Sequence, residues 1–213
     1  MNPKFGIAVL LIAALVAVNA AAEEPRWDVG VRGGISSVGG IPANDIAGLG
    51  LIGRYRLGEG HYLGVAIEQL EFDFERPWRI VGVEQDKAVR SKDIDARTSS
   101  TVVSVFYERR YGGSKERWNT YWNVGLGFAS PDADPATGPA VGGGNFIIVT
   151  DAGSEVIPSL GGGVRYNFTP KFAGDAGLSA SRHIANWTVT DRVSGRTGKV
   201  DDYTRLGIQL GKH

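Results

Sequence analysis

From residue 27 onward the chain alternates apolar and polar side chains, in segments of about the length of a tilted membrane-crossing strand. In the clearest segment Trp122, Val124 and Leu126 share one face, and Asn123 and Gly125 lie on the other. Because successive side chains of a strand point to opposite faces, this spacing predicts strands with one apolar face. Eight such segments recur, over residues 27–35, 48–57, 63–74, 100–110, 118–128, 156–168, 172–181 and 205–210.

The third segment changes phase halfway along its length. Its apolar face first carries Val65 and Ile67 and then shifts to Leu70 and Phe72. A β-bulge adds one residue to a strand and would return both halves to the same face. The sequence therefore predicts a bulge near Glu68.

The connections between these segments are alternately short and long. Residues 58–61, 112–116 and 169–171 are tight turns, whereas 75–96, 131–150 and 184–199 are long and rich in glycine or charge. Alternation alone also suits a soluble sandwich, but short turns at one end and long loops at the other are typical of an outer-membrane barrel. We therefore predict an all-β, antiparallel, up-and-down transmembrane β-barrel of about eight strands.

Aromatic residues cluster beside the short turns, on the apolar face. Such a cluster predicts a girdle at one membrane boundary, since aromatic side chains favour the interface between lipid and water. The predicted girdle consists of Trp27, Tyr55, Tyr107, Tyr111, Trp118, Tyr166, Phe168 and Phe172.

The first residues have the layout of a secretory signal. Lys4 precedes an apolar run over residues 5–18, and Ala20, Ala21 and Ala22 supply small residues for cleavage after Ala20 or Ala22. The run is shorter than the roughly 20 residues of a spanning helix. We therefore predict a cleaved signal peptide over residues 1–22 and a single barrel domain over residues 23–213.

Composition excludes several other classes of protein. Lys+Arg and Asp+Glu both number 23, so the basic excess of a nucleic-acid-binding protein is missing. The chain has no cysteine, which rules out disulfides and thiolate metal sites. We expect no cofactor and no resident metal.

With these segments the chain resembles the small outer-membrane β-barrel family, typified by the transmembrane domain of outer membrane protein A and by the attachment and invasion barrels. Its last segment, with Tyr203, Gly207, Ile208 and Leu210, is similar to the strand that the barrel assembly machinery recognises in that family. The resemblance implies an outer-membrane location, passage past periplasmic chaperones, and long loops facing outside. We expect a monomer.

An eight-stranded barrel has no room for a wide channel, so its polar face must fill the lumen. Buried charges persist when they are paired, which predicts either a structural plug of ion pairs or a narrow passage in which these pairs break and re-form. The charged candidates for this lumen network are Arg32, Arg54, Arg56, Glu68, Glu108, Arg110, Arg165, Asp175 and Arg205.

One local motif resembles the site of the outer-membrane lipid A deacylase barrels, which carry His-x-Ser-Asn on one strand and a carboxylate on the next. His183 and Asn186 match this motif, and Asp202 could be the acid. Ala185 stands at the position of the nucleophilic serine, and without a hydroxyl no acyl-enzyme can form. We therefore expect no enzymatic activity and keep the deacylase as the least favoured alternative.

The long connection after the third segment is rich in basic residues. These side chains could contact lipopolysaccharide phosphates, although the same connection carries several acids. The sequence thus predicts a structural or surface-interaction protein, with a narrow channel or transporter for small solutes as the alternative. The candidate lipopolysaccharide contacts are Arg76, Arg79, Lys87, Arg90, Lys92 and Arg97.

Overall fold

A computed structural model describes most of the chain, and every element in it is a β-strand. The described residues are 26–39, 46–74, 83–84, 87–88, 96–112, 116–139, 145–169, 171–193, 195, 197–199 and 202–213. The predicted signal peptide lies outside these ranges and remains a prediction. The strands are β1 (Trp27–Gly39), β2 (Ile46–Gly58), β3 (His61–Phe74), β4 (Val83–Glu84), β5 (Lys87–Ala88), β6 (Ala96–Tyr111), β7 (Trp118–Ala133), β8 (Ala136–Pro139), β9 (Asn145–Ala152), β10 (Glu155–Thr169), β11 (Phe172–His183), β12 (Trp187–Asp191), β13 (Thr197–Lys199) and β14 (Tyr203–Lys212).

Eight of these strands close into one antiparallel barrel, in the order β1-β14-β11-β10-β7-β6-β3-β2. The first and last strands complete the circle, because Val31 of β1 is opposite both Leu51 of β2 and Lys212 of β14. The predicted up-and-down barrel of eight strands is confirmed. Among the described residues no helix is long and apolar enough to cross a bilayer.

The outer face of the barrel carries an apolar belt. Leu49 is 69% exposed and Leu178 is 68% exposed, and Leu126 and Leu160 also face outward. Alternation explains this arrangement, since the residues between them in each strand point into the lumen. A continuous apolar surface on this scale requires a nonaqueous environment, which lipid hydrocarbon supplies.

The predicted bulge near Glu68 is wrong. The register of β3 is continuous with β2 from Tyr62 to Glu71, and it is continuous with β6 along all of β3. Leu70 instead points into the lumen, where it is 1% exposed. The change of phase in the sequence marks a change in the lumen itself, from polar near Glu68 to apolar near Leu70.

All three long connections contain strands of their own, and in the connection after β3 the short strands β4 and β5 pair with each other. Strands β8 and β9 lie in the connection after β7, and β12 and β13 lie in the one after β11. They form a four-stranded sheet in the order β13-β12-β9-β8, in which Thr188 is opposite Asp151. The two connections are therefore joined by backbone hydrogen bonds rather than being independent loops.

Candidate functional site: the barrel lumen

Buried charged side chains fill the lumen near the short turns. Arg54 Nε donates to Glu108 Oε2 at 2.9 Å, and Arg54 Nη2 donates to Asp175 Oδ2 at 3.2 Å. Arg110 donates to the other Glu108 oxygen at 2.6 Å and to Asp28 Oδ2 at 2.9 Å. Each of the two arginines therefore bridges two carboxylates, which is the paired state that buried charges need.

Two further residues complete this group. Arg165 Nη1 lies 2.8 Å from Asp28 Oδ2, and His213 Nε2 lies 2.6 Å from Asp175 Oδ2. The backbone of His213 also exchanges two hydrogen bonds with Ala173, which holds its ring inside the barrel. We call Asp28, Arg54, Glu108, Arg110, Arg165, Asp175 and His213 the ionic cluster. Its three arginines balance its three carboxylates.

A second charged group lies farther from the short turns. Arg32 Nη2 is 3.5 Å and Arg205 Nη2 is 3.4 Å from the same oxygen of Glu68. These distances exceed those of good charge-assisted hydrogen bonds, which are about 2.7–2.9 Å. We call these three residues the central triad. They border a cavity of about 50 Å³.

Toward the long connections the lumen becomes apolar. A buried cluster closes it there, and Trp187 of the connection sheet belongs to this cluster with 1% exposure. Its other members come from the barrel strands. We call Ile46, Leu70, Val102, Ala129, Ile157 and Trp187 the apolar cap.

A buried polar group accompanies the apolar cap. His183 Nδ1 is 2.8 Å from Glu155 Oε2, and Tyr203 donates its hydroxyl proton to Glu155 at 3.2 Å. The imidazole of His183 stacks on the phenol ring with 4.4 Å between centroids. Glu155 is thus held by two partners, as a fully buried carboxylate requires.

The structure brings most of the predicted lumen residues together. Five predicted members belong to the ionic cluster and three form the central triad, while Arg56 is half-buried on the same face of β2. Asp28 and His213 were missed. Asp28 lies on the polar face of the first segment and could have been found by alternation. His213 has the same phase as Arg205 and Gln209, but it lies beyond the predicted end of the last segment at residue 210.

The deacylase-like residues do not converge. His183 is buried with Glu155, whereas the Asp202 carboxylate accepts from the Ala185 amide at 3.1 Å and from Arg182 at 3.3 Å. Asn186 lies between β11 and β12. A triad needs its base and acid in contact, so this arrangement does not supply one.

The predicted lipopolysaccharide contacts are not tested by the structure. Arg76, Arg79, Arg90 and Lys92 lie outside the described residues. Lys87 falls within the short strand β5, which pairs with β4, and Arg97 falls within β6. Their role remains a prediction.

The aromatic residues at the short-turn end form separate groups of contacting rings on different sides of the barrel. Trp118 and Tyr166 have ring centroids 4.7 Å apart, and the contacts continue through Phe168 to Phe172 at 4.9 and 5.2 Å. On the other side of the barrel Trp27 packs on Tyr55 at 5.0 Å. Rings in tilted or edge contact at one height are typical of a membrane interface.

Comparisons with known proteins agree with this architecture. The family model described as "Outer membrane protein beta-barrel domain" matches residues 7–212. No curated protein matches the chain in sequence.

Among solved structures, the outer membrane protein OprG from Pseudomonas aeruginosa is similar, with a TM-score of 0.54 and 10% identity over 87% of this chain and 95% of that one. Neisserial surface protein A is similar with a TM-score of 0.50 and 13% identity, over 87% and 95% of the two chains. At these identities the likeness shows a shared fold. The family match, the closed barrel and the lipid-facing belt together show that the chain belongs to the outer membrane protein β-barrel domain family and resides in the bacterial outer membrane.

Proposed function

We propose that this protein has a structural or surface-interaction role, with a closed lumen and with the long connections as its contact surface. The observation that carries the proposal is the double closure of the lumen. The ionic cluster closes it near the short turns and the apolar cap closes it near the long connections. A solute would have to displace both groups.

The ionic cluster is a strong barrier because its members hold one another. Moving Arg54 out of the cluster would break its ion pairs with both Glu108 and Asp175, and the three side chains are only 4%, 1% and 6% exposed. Unpaired buried charges cost several kcal/mol. This cost favours a permanent plug over a passage that opens and closes.

The connection sheet favours a contact role. Short periplasmic turns and longer extracellular loops are the rule in this class of barrel, so the sheet of β8, β9, β12 and β13 would project outside the cell. A paired sheet presents side chains from a fixed backbone, which lowers the ordering cost of binding. Trp187 anchors the sheet to the barrel through the apolar cap.

Lipopolysaccharide is the partner that the sequence favours. The connection over residues 75–96 carries Arg76, Arg79, Arg90 and Lys92, and the outer leaflet above the belt is rich in phosphate. This contact would help to hold the barrel in its membrane.

Two measurements test the proposal. The purified protein should give no steady conductance in planar bilayers, and a reproducible open level in the intact protein would overturn the closed-lumen role. Purified lipopolysaccharide should bind the protein more weakly when Arg76, Arg79, Arg90 and Lys92 are all replaced by Ser. The matched control replaces the periplasmic-end residues Arg26, Arg109, Arg117 and Lys171 with Ser, and equal loss in both variants would contradict the assigned contact.

A further inference from the structure

We propose that the cavity beside the central triad binds one small monovalent inorganic anion, of the size of chloride or nitrate. The site lies in mid-lumen, between the ionic cluster and the apolar cap. It is separate from the contact surface assigned above.

The central triad carries a net positive charge. Arg32 and Arg205 bring two positive charges, and Glu68 brings one negative charge. The ionic cluster offers no surplus acid, because its three carboxylates already face three arginines. The next carboxylate toward the cap, Glu155, is engaged by His183 and Tyr203. Among the described residues, one positive charge of the central triad therefore has no carboxylate of its own.

Unpaired donors point to the place where the anion binds. Arg205 Nη1 and Ser181 Oγ are buried and have no hydrogen-bond partner among the described residues. The two residues are opposite each other in the register of β11 and β14, and both line the cavity. Arg205 is 8% exposed and Ser181 is 7% exposed, so bulk water does not satisfy them. A buried donor without an acceptor costs about 1–3 kcal/mol, and more when it is charged.

The walls of the cavity suit an anion. Ser104, Ser159 and Ser179 add hydroxyl donors, and Val102 and Ile157 close the side toward the cap. The volume of about 50 Å³ admits a small anion with a few waters. A doubly charged sulfate or phosphate would face a much higher desolvation cost in this closed space.

Glu68 competes with the anion for the same guanidinium groups. Its contacts of 3.4 and 3.5 Å are long compared with those of 2.6–2.9 Å that Glu108 makes in the ionic cluster. Neither arginine of the triad is held tightly by Glu68, so each can donate to a second acceptor. Removing the Glu68 charge should strengthen anion binding, and removing the Arg205 charge should weaken it.

The test compares refolded protein in lipid vesicles at constant ionic strength, with sodium chloride, bromide or nitrate replacing sodium gluconate. Thermal unfolding should occur at a higher temperature as the small anion increases, because a ligand of the folded state stabilises it. Arg205→Met should weaken the apparent affinity by about tenfold or more. Ser181→Ala should weaken it by several-fold, and Glu68→Gln should strengthen it.

The matched control is Arg182→Met, which removes an exposed arginine from β11 next to Ser181 and should leave the anion dependence unchanged. Crystals grown in bromide should show an anomalous peak beside Arg205 Nη1. Stability that does not respond to the anion, or that responds equally in Arg205→Met and in the intact protein, would overturn the proposal. So would density in the cavity with no anomalous signal, which would identify water.

Discussion

Arg54 Nε lies 2.9 Å from Glu108 Oε2 in the centre of the ionic cluster, and Arg110 Nε binds the other oxygen of the same carboxylate at 2.6 Å. One acid thus holds two arginines from two different strands. The stability of the plug depends on this carboxylate more than on any surface pair, since exposed ion pairs contribute about 0–1 kcal/mol.

Glu108→Gln should lower the free energy of unfolding by about 3–5 kcal/mol, because it leaves Arg54 and Arg110 short of a buried counter-charge. Urea titration of the protein in lipid vesicles measures the change. Glu59→Gln, in the exposed turn between β2 and β3, is the matched control and should shift stability by less than about 0.5 kcal/mol. Similar effects of the two substitutions would contradict the assigned role of Glu108.

Gly64 of β3 provides the space that the Phe106 ring of β6 occupies. The two residues are opposite in the register, and a Cβ atom at position 64 would overlap the ring. Gly64→Ala should therefore destabilise the barrel by about 1–3 kcal/mol, the usual cost of overpacking.

Phe106→Leu should relieve part of this overlap, so the double variant should be more stable than the sum of the single effects predicts. Gly53→Ala is the control, because a Cβ at position 53 meets no atom within 4 Å. Additive effects of the 64 and 106 substitutions would show that the ring does not fill this space.

The five tryptophans should differ in their contact with lipid. Trp118 is 62% exposed in the girdle, whereas Trp187 is 1% exposed in the apolar cap. In variants that retain one tryptophan, with phenylalanine at the other four positions, brominated lipids should quench Trp118 strongly and Trp187 weakly. Stronger quenching of Trp187 would place the connection sheet against lipid and contradict the cap.

Leu70→Ala should destabilise the barrel by about 2–5 kcal/mol, because it opens a cavity in the apolar cap. Leu57→Ala, on the outer face and 57% exposed, is the matched control and should cost less. Unfolding in lipid vesicles compares the two. A larger loss at Leu57 would show that Leu70 does not pack inside the barrel.

The sequence predicts the barrel because hydrocarbon outside and charge inside impose a strict period of two. Val103 and Val105 of β6 are exposed and Ser104 between them faces the cavity, in agreement with this period. The girdle was predictable for a related reason, since Trp118 and Tyr166 flank short turns on the apolar face.

The inner face was less predictable because alternation assigns a side and not a partner. It places Glu68 and Glu108 inward but does not say which arginine each one meets. It also misassigned Leu70, since an apolar residue on the inner face looks like a change of phase when the lumen is assumed to be polar throughout. The pairing of β9 with β12, which joins the two connections into one sheet, is between segments distant in sequence, and local patterns do not reveal it.

The pairing of β1 with β14 affects the rate and the order of barrel assembly. Ile35 lies opposite Ile208, so the seam joins parts of the chain that are synthesised far apart in time. Contacts of such long range slow folding, and until they form, two strand edges present unsatisfied amides that hydrocarbon cannot solvate. A chain of this design cannot enter the bilayer strand by strand, and insertion must be coupled to closure of the ring.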